Sequence, residues 1–351
     1  MLQFDIEKLS VWEFLQNTKE PIIMYGTGNG ADKVFEVFNE LNIKVTGVTA
    51  SDGFVRDRYF HNFKVTPISE YLEKYEKFTV VVTFGSSRSE VIENIKNLAE
   101  KQTVLVPCVP VTGNEIFDRC FLEENEEKLN KAFSLLADEK SKEVFKNYVN
   151  FQFSGKLKYL FSMESDISDA FNDYLRLSEN ESFIDIGAYR GDTVEQFLKF
   201  TNGKHKNILA IEPDRKTYKK LVANYENLKN FEALNGAVTN IDGVVEFSSV
   251  AGRQSTIGRG VEIPAFTLNK LSEKFVPTYI KIDAEGAELD ILNGGEKIIS
   301  EFKPKIKIAT YHKNRDIFEI PILLNKLNEN YKIYMCHHPY IPAWDTDFYC
   351  V

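Results

Sequence analysis

Only four of the 351 residues are cysteine (Cys108, Cys120, Cys336 and Cys350), and no pair has the CxxC spacing of a zinc knuckle or redox motif. No disulfide frame is suggested either, so the chain reads as one with reduced cysteines and an expected place in the cytoplasm. The opening residues, MLQFDIEKLS, lack the basic-then-apolar layout of a signal peptide. No apolar run approaches the ~20 residues that cross a bilayer. Positive charge is short as well, with 43 Lys and Arg against 52 Asp and Glu and a net charge of −9. That balance argues against nucleic acid held by phosphate neutralisation, and against an anionic membrane surface. Fixed-period repeats and low-complexity tracts are missing. What the chain does have is core material, 43 % hydrophobic and 13 % aromatic, ample for a folded enzyme or binding protein.

Strand-like runs alternate with helical patterns in two separate series. The first has apolar runs at 21–25, 45–48, 78–84 and 103–106, with Val34, Phe35, Phe38 and Leu41 on one helical face between them. It predicts a small parallel α/β domain over residues 1–112. Residues 113–178 repeat apolar positions at helical spacing, among them Phe117, Phe121, Leu129 and Phe145, and predict a helical bridge. The acidic run at 123–127 within it reads as a solvated helix face.

The second series fills residues 179–351. Strands are expected at 182–186, 208–211, 231–234, 279–282 and 305–310, with a hairpin arm at 244–247. Runs at 332–335 and 347–350 close the chain as an antiparallel pair. The expected fold class is therefore α/β, with a C-terminal seven-strand Rossmann-like sheet that has one antiparallel edge strand.

In such sheets ligands bind beyond the carboxyl ends of the strands, where strand order reverses. Five successive strand ends carry polar or glycine residues: Asp185 and Gly187, Glu212, Asn235 and Gly236, Asp283 and Glu285, and His312. Gly187 and Gly191 permit close backbone approach to a ligand, and the next helix opens at Asp192 and Thr193. Glu212 lies 25 positions beyond Gly187, the reach of a carboxylate that grips a ribose diol.

The stretches FIDIGAYRGDT (183–193), IEPD (211–214) and IKIDAEGAE (280–288) resemble the motifs of the FkbM family over residues 180–351. These are S-adenosylmethionine-dependent methyltransferases of the seven-strand Rossmann-like class. The resemblance implies O-methylation, often of sugars in glycans or natural products. It implies that the loop of Asp185, Gly187, Ala188, Tyr189, Gly191 and Thr193 holds the methionine part. Glu212 would take the ribose hydroxyls, and Asn235, Gly236 and Ala237 would flank the adenine. The first domain is similar to small Rossmann-like domains that precede some sugar-modifying transferases.

Methyl transfer to a sugar hydroxyl needs a base or a metal. His312 is the expected general base, with an ordinary pKa near 6.5, and Asp283 and Glu285 stand beside it at the methyl position. A divalent ion held by Asp283, Glu285 and His312 is a second, less favoured reading, and no metal is assigned. Arg253 and Arg259, in a glycine-rich insertion, are candidates for a phosphate or carboxylate on the acceptor. His338, in the last hairpin connection beside His337, Tyr340 and Trp344, is a candidate for contact with a sugar ring. The expected partner is a small-molecule or glycan acceptor, and a homodimer is open. Two rival readings remain. One is an NAD-dependent oxidoreductase using Gly26, Gly28 and Gly30 with Asp52. The other is a non-catalytic nucleotide-sugar-binding module.

Overall fold

The computed structural model describes residues 1–351 apart from 52–54, 56, 249–255 and 258–259. Its first sheet comprises β1 (Ile22–Tyr25), β2 (Gly47–Ala50), β3 (Tyr59–Phe60), β4 (Phe63–Pro67), β5 (Thr79–Val82) and β6 (Thr103–Leu105). The spatial order is β3-β4-β2-β1-β5-β6, parallel throughout except for β3 against β4. β1, β2 and β5 are buried along their whole length, as parallel strands covered by helices on both faces must be. The β3–β4 hairpin has no counterpart in the sequence reading.

Helices Arg119–Leu135 and Glu139–Ser154 follow, opened by Asp118 and Asp138, whose carboxylates accept the N–H of Phe121 and Ser141. Each such cap contributes about 1 kcal/mol. Gly155 ends the second helix in a left-handed conformation, φ 65°. These helices seal the two sheets together. One apolar cluster runs from Val80 and Val104 through Phe121 and Phe145 to Ile306, Phe318 and Phe348.

The large sheet contains β7 (Ser182–Ile186), β8 (Asn207–Glu212), β9 (Phe231–Asn235), β14 (Tyr279–Ile282), β15 (Lys305–Ala309), β16 (Ile333–His337) and β17 (Thr346–Cys350). Its order is β16-β17-β15-β14-β7-β8-β9. Seven strands with one reversed match the expectation, but the reversed strand is not at the edge. β17 runs antiparallel to both β15 and β16, and β16 takes the rim. The helix Asp316–Leu327 carries the chain past β15 and sets β16 one strand-width away, and β17 fills the gap on its return. All five of its residues are buried, as an interior strand requires. The two runs of the hairpin are similarly apolar in sequence, so pattern alone does not say which lies outside.

Between β9 and β14 a third, four-strand sheet forms from β10 (Ala237–Val238), β11 (Gly243–Ser248), β12 (Thr256–Ile257) and β13 (Val261–Phe266). The expected hairpin arm is β11, whose main partner is β13.

Candidate functional site

Strand order turns back on itself between β14 and β7, since β8 and β9 extend one way and β15 the other. A cleft of roughly 930 Å³ opens there, at the carboxyl ends of the strands.

One half is built on the turn after β7. Gly187 adopts φ 75°, and a Cβ on it would stand 1.9 Å from the carbonyl oxygen of Asp283. Only glycine lets these two strand ends meet. Gly191 adopts φ 92° against the ring of Tyr225, whose hydroxyl donates to the Gly191 carbonyl at 2.6 Å. The N–H groups of Gly187 and Ala188 both reach Ile211 O, and that of Tyr189 reaches Glu212 Oε2 at 2.8 Å. Asp214 N donates to the other oxygen, Glu212 Oε1, at 2.8 Å. Glu212 thus ties the two loops together while lining the cleft, and burial pushes its carboxyl up to about 7 despite those two donors.

The other half lies beyond β14 and β15. Lys281 is buried, donates to Gly187 O at 2.7 Å, and stands 3.4 Å from Asp185 and 3.7 Å from Asp283. Burial opposes its charge, but the two carboxylates win and hold it as a cation. Neither oxygen of Asp185 accepts a hydrogen bond, and burial raises its pKa to about 6 against the pull of Lys281. His312 is 1 % exposed. Its Nδ1 is 2.9 Å from Glu288 Oε1, and its Nε2 is 3.4 Å from Asp283 and 3.7 Å from Glu285. Burial would make the imidazole less basic, but these three carboxylates outweigh it and push it up to about 10. Asp283 shows the converse. Burial works against its charge, and Lys281 and His312 overcome that to hold it below its usual value. Tyr311 adds a hydroxyl 3.3 Å from Asp283 Oδ1.

The first sheet closes this half. Thr112 donates its N–H to His312 O at 3.0 Å and its hydroxyl to Glu285 O at 3.1 Å. Ser86 and Ile341 exchange two backbone hydrogen bonds, and the ring of Trp344 packs directly over Gly85. Asn29, Ser87 and Val111 therefore face Tyr340, Trp344 and Asp345 across one opening.

Of the expected site residues, Gly187, Tyr189, Thr193, Glu212, Gly236, Ala237, Asp283, Glu285 and His312 all line the cleft. Ala188, Gly191 and Asn235 support it from behind, Asn235 by donating to Glu212 O and Pro213 O. Asp185 is fully enclosed and reaches the cleft only through Lys281. His338 corrects an expectation. Its ring nitrogens are engaged by Ser165 O and Tyr349 OH inside the fold, so it presents nothing to an acceptor. Tyr340 and Trp344 of the same connection do line the cleft. Arg253, Arg259 and Asp52 lie outside the described residues. Lys281, Glu288 and Tyr311 were overlooked, although two of them stand inside the IKIDAEGAE run, where a lysine in a buried strand is a signal in itself. Gly26 and Gly30 have a packing reason, since a Cβ on either would press on Thr83 at 2.5 to 2.6 Å.

Sheet order, the single reversed strand and the cleft at the switch point define an α/β methyltransferase fold. Residues 185–333 match the family model described as the methyltransferase FkbM domain. The crystal structure of methyltransferase FkbM from Methylobacillus flagellatus KT superposes with a TM-score of 0.72 at 20 % identity, covering 99 % of this chain and 94 % of that one. Precorrin-6y C5,15-methyltransferase from Geobacter metallireducens GS-15 overlaps in part, with a TM-score of 0.35 at 10 % identity over 52 % of this chain and 85 % of that one. No curated protein sequence matches the chain.

Proposed function

We propose that the chain transfers the methyl group of S-adenosylmethionine to a hydroxyl of a sugar or glycan precursor. The observation that carries this reading is the pairing, across one cleft, of Glu212 on the β7–β8 side with Asp283 on the β14–β15 side. S-adenosylmethionine supplies an activated methyl group on a cationic sulfur. Glu212 accepts from the ribose hydroxyls, and the turn at Gly187 to Gly191 brings backbone against the methionine part. Gly236 and Ala237 leave room for a flat base.

On the acceptor side, Tyr340 and Trp344 offer apolar faces of the kind that cover a sugar ring, with ring centroids 5.7 Å apart. The hydroxyl must shed its proton as the new bond to carbon forms. His312 does not suit that task in this arrangement, because three carboxylates hold its imidazole protonated at neutral pH. Asp283 suits it better, being charged, open to the cleft and steered by Tyr311 and His312. The role of His312 is then to keep Asp283 and Glu285 facing the acceptor.

The test is incubation of the purified chain with methyl-labelled S-adenosylmethionine and cell-surface glycan extracts. Label in the glycan fraction is the expected result. Calorimetric binding of NAD without binding of the methyl donor overturns the reading.

A further inference from the structure

We propose that Asp345 is the specificity-determining residue of the acceptor half of the cleft. Its carboxylate accepts hydrogen bonds from ring hydroxyls of the acceptor sugar and turns away sugars that carry a phosphate or carboxylate at that end. The use of this contact rests on the methyltransferase reading, but the binding itself does not.

Asp345 directly follows Trp344, and both line the cleft with Tyr340. Backbone contacts hold them there. Ile341 exchanges two hydrogen bonds with Ser86, Trp344 N donates to Pro342 O at 2.7 Å, and His338 N donates to Asp345 O at 3.0 Å. Asp345 closes this connection just before β17, in the left-handed region at φ 63°. Aspartate tolerates that region better than most side chains, and glycine would suit it better still. A carboxylate kept at such a position, half-buried in a cleft wall, points to a use for the side chain and not only for the turn.

Among the described residues no donor is hydrogen-bonded to that carboxylate. Its electrostatic tie is to Lys307. Burial opposes the charge of that lysine, and Asp347, 3.2 Å away, and Asp345 overcome it. Lys307 has its direct partner in Asp347, so both oxygens of Asp345 keep their capacity to accept. A sugar whose face lies on the Tyr340 and Trp344 rings directs its hydroxyls outward from the ring edge, toward groups set beside the aromatics. Asp345 is such a group.

Charge decides against anions. Among the described residues lining the cleft, Arg190, Lys216 and Lys220 stand on the loop after β7 and on the helix Arg215–Tyr225, at the donor half. Lys281 is engaged by Gly187 O, Asp185 and Asp283, and His312 is enclosed by carboxylates. A phosphate beside Tyr340 and Trp344 therefore meets Asp345 and Asp283 without a described cation left to pair with it. Specificity comes from such an unfavourable contact with the wrong ligand as much as from a favourable one with the right ligand.

The experiment is saturation-transfer NMR of the full chain with the methyl glycosides of glucose, galactose and mannose and with the corresponding sugar phosphates, at tens of millimolar. Binding of S-adenosylmethionine is measured by calorimetry on the same protein. At least one neutral glycoside is expected to bind, with its phosphate roughly tenfold weaker or more. Asp345→Asn keeps a residue that tolerates the left-handed backbone. It should weaken the neutral glycoside roughly tenfold or more and strengthen the phosphate, two shifts of opposite sign that a merely structural role does not produce. Asp345→Gly suits φ 63° and keeps the test open if the first variant does not fold. It should lose the glycoside while its melting temperature holds. No glycoside binding by the parent, a phosphate bound as tightly as its neutral glycoside, or unchanged glycoside affinity in the variants overturns the assignment. Donor binding that persists in that case leaves the methyltransferase reading standing. Glycoside binding that depends on Asp345, in a chain that does not bind the donor, sustains the assignment and removes that reading.

Discussion

Glu288 Oε1 lies 2.9 Å from His312 Nδ1, with the two residues 0 % and 1 % exposed. This pair locks the loop after β14 to the loop after β15 and prevents the imidazole from turning over. The other ring nitrogen, Nε2, then stands 3.4 Å from Asp283 and 3.7 Å from Glu285.

Glu212 is the residue whose loss should most clearly separate donor binding from folding. Glu212→Ala removes the expected ribose acceptor and strands the N–H groups of Tyr189 and Asp214. Hydrogen bonds to a charged group contribute about 1.5–3 kcal/mol, so S-adenosylmethionine should bind roughly ten- to a hundredfold more weakly. Calorimetry that returns the parent dissociation constant would remove the ribose assignment.

A pH dependence follows from the same carboxyl, raised to about 7 by burial. The charged form accepts both ribose hydroxyls, so donor affinity should climb as pH rises from 6 and level off above 8. Glu212→Gln should flatten that slope. The linkage to stability has the opposite sign. The folded chain holds this proton more tightly than the unfolded chain does, so its contribution is full below the ordinary glutamate value of 4.5 and is lost as pH rises through about 7. Donor affinity and melting temperature, measured across that window, check both signs.

Lys281 should matter most through the charge it neutralises. In Lys281→Met the fully buried Asp185 loses its one cation, and breaking such a pair costs about 3–5 kcal/mol. Asp185→Asn added to Lys281→Met should recover a large part of that loss in urea unfolding. If the double variant is no more stable than the single one, Lys281 is not the partner of Asp185.

Trp344→Ala tests whether the first sheet and the last hairpin build the acceptor wall. The ring packs over Gly85 and lines the cleft. An aromatic pair such as Tyr340 and Trp344 contributes about 0.5–1.5 kcal/mol beyond its buried area, which predicts a two- to tenfold rise in acceptor KM. The dissociation constant for S-adenosylmethionine should not move. An equal effect on both ligands would show a general loss of structure instead.

The strand ends were legible because an apolar run of four or five residues that stops at glycine or a carboxylate has few other readings in an α/β chain. Glu212 could be placed from its spacing to Gly187, and Asp283 from the run that holds it. His338 misled for a corresponding reason. Beside an aromatic loop it looks like a ligand contact, and only the packing shows both ring nitrogens already satisfied. The position of β17 was equally hidden, since two neighbouring strands of similar composition can exchange places without altering the pattern.

By itself the sequence determined the alternation of strands and helices, the glycines at Gly187 and Gly191, and the carboxylates that end β8 and β14. Those are local properties, set by periodicity and by the backbone freedom of single residues. Tertiary structure decided the electrostatics. Lys281 and Asp185 lie 96 positions apart in the chain, and they meet because β7 and β14 are neighbours in register. His312 changes from an ordinary imidazole to a cation because Asp283, Glu285 and Glu288 converge on it in a buried space. A charge takes its value from what surrounds it, and that surrounding exists only once the strands are side by side.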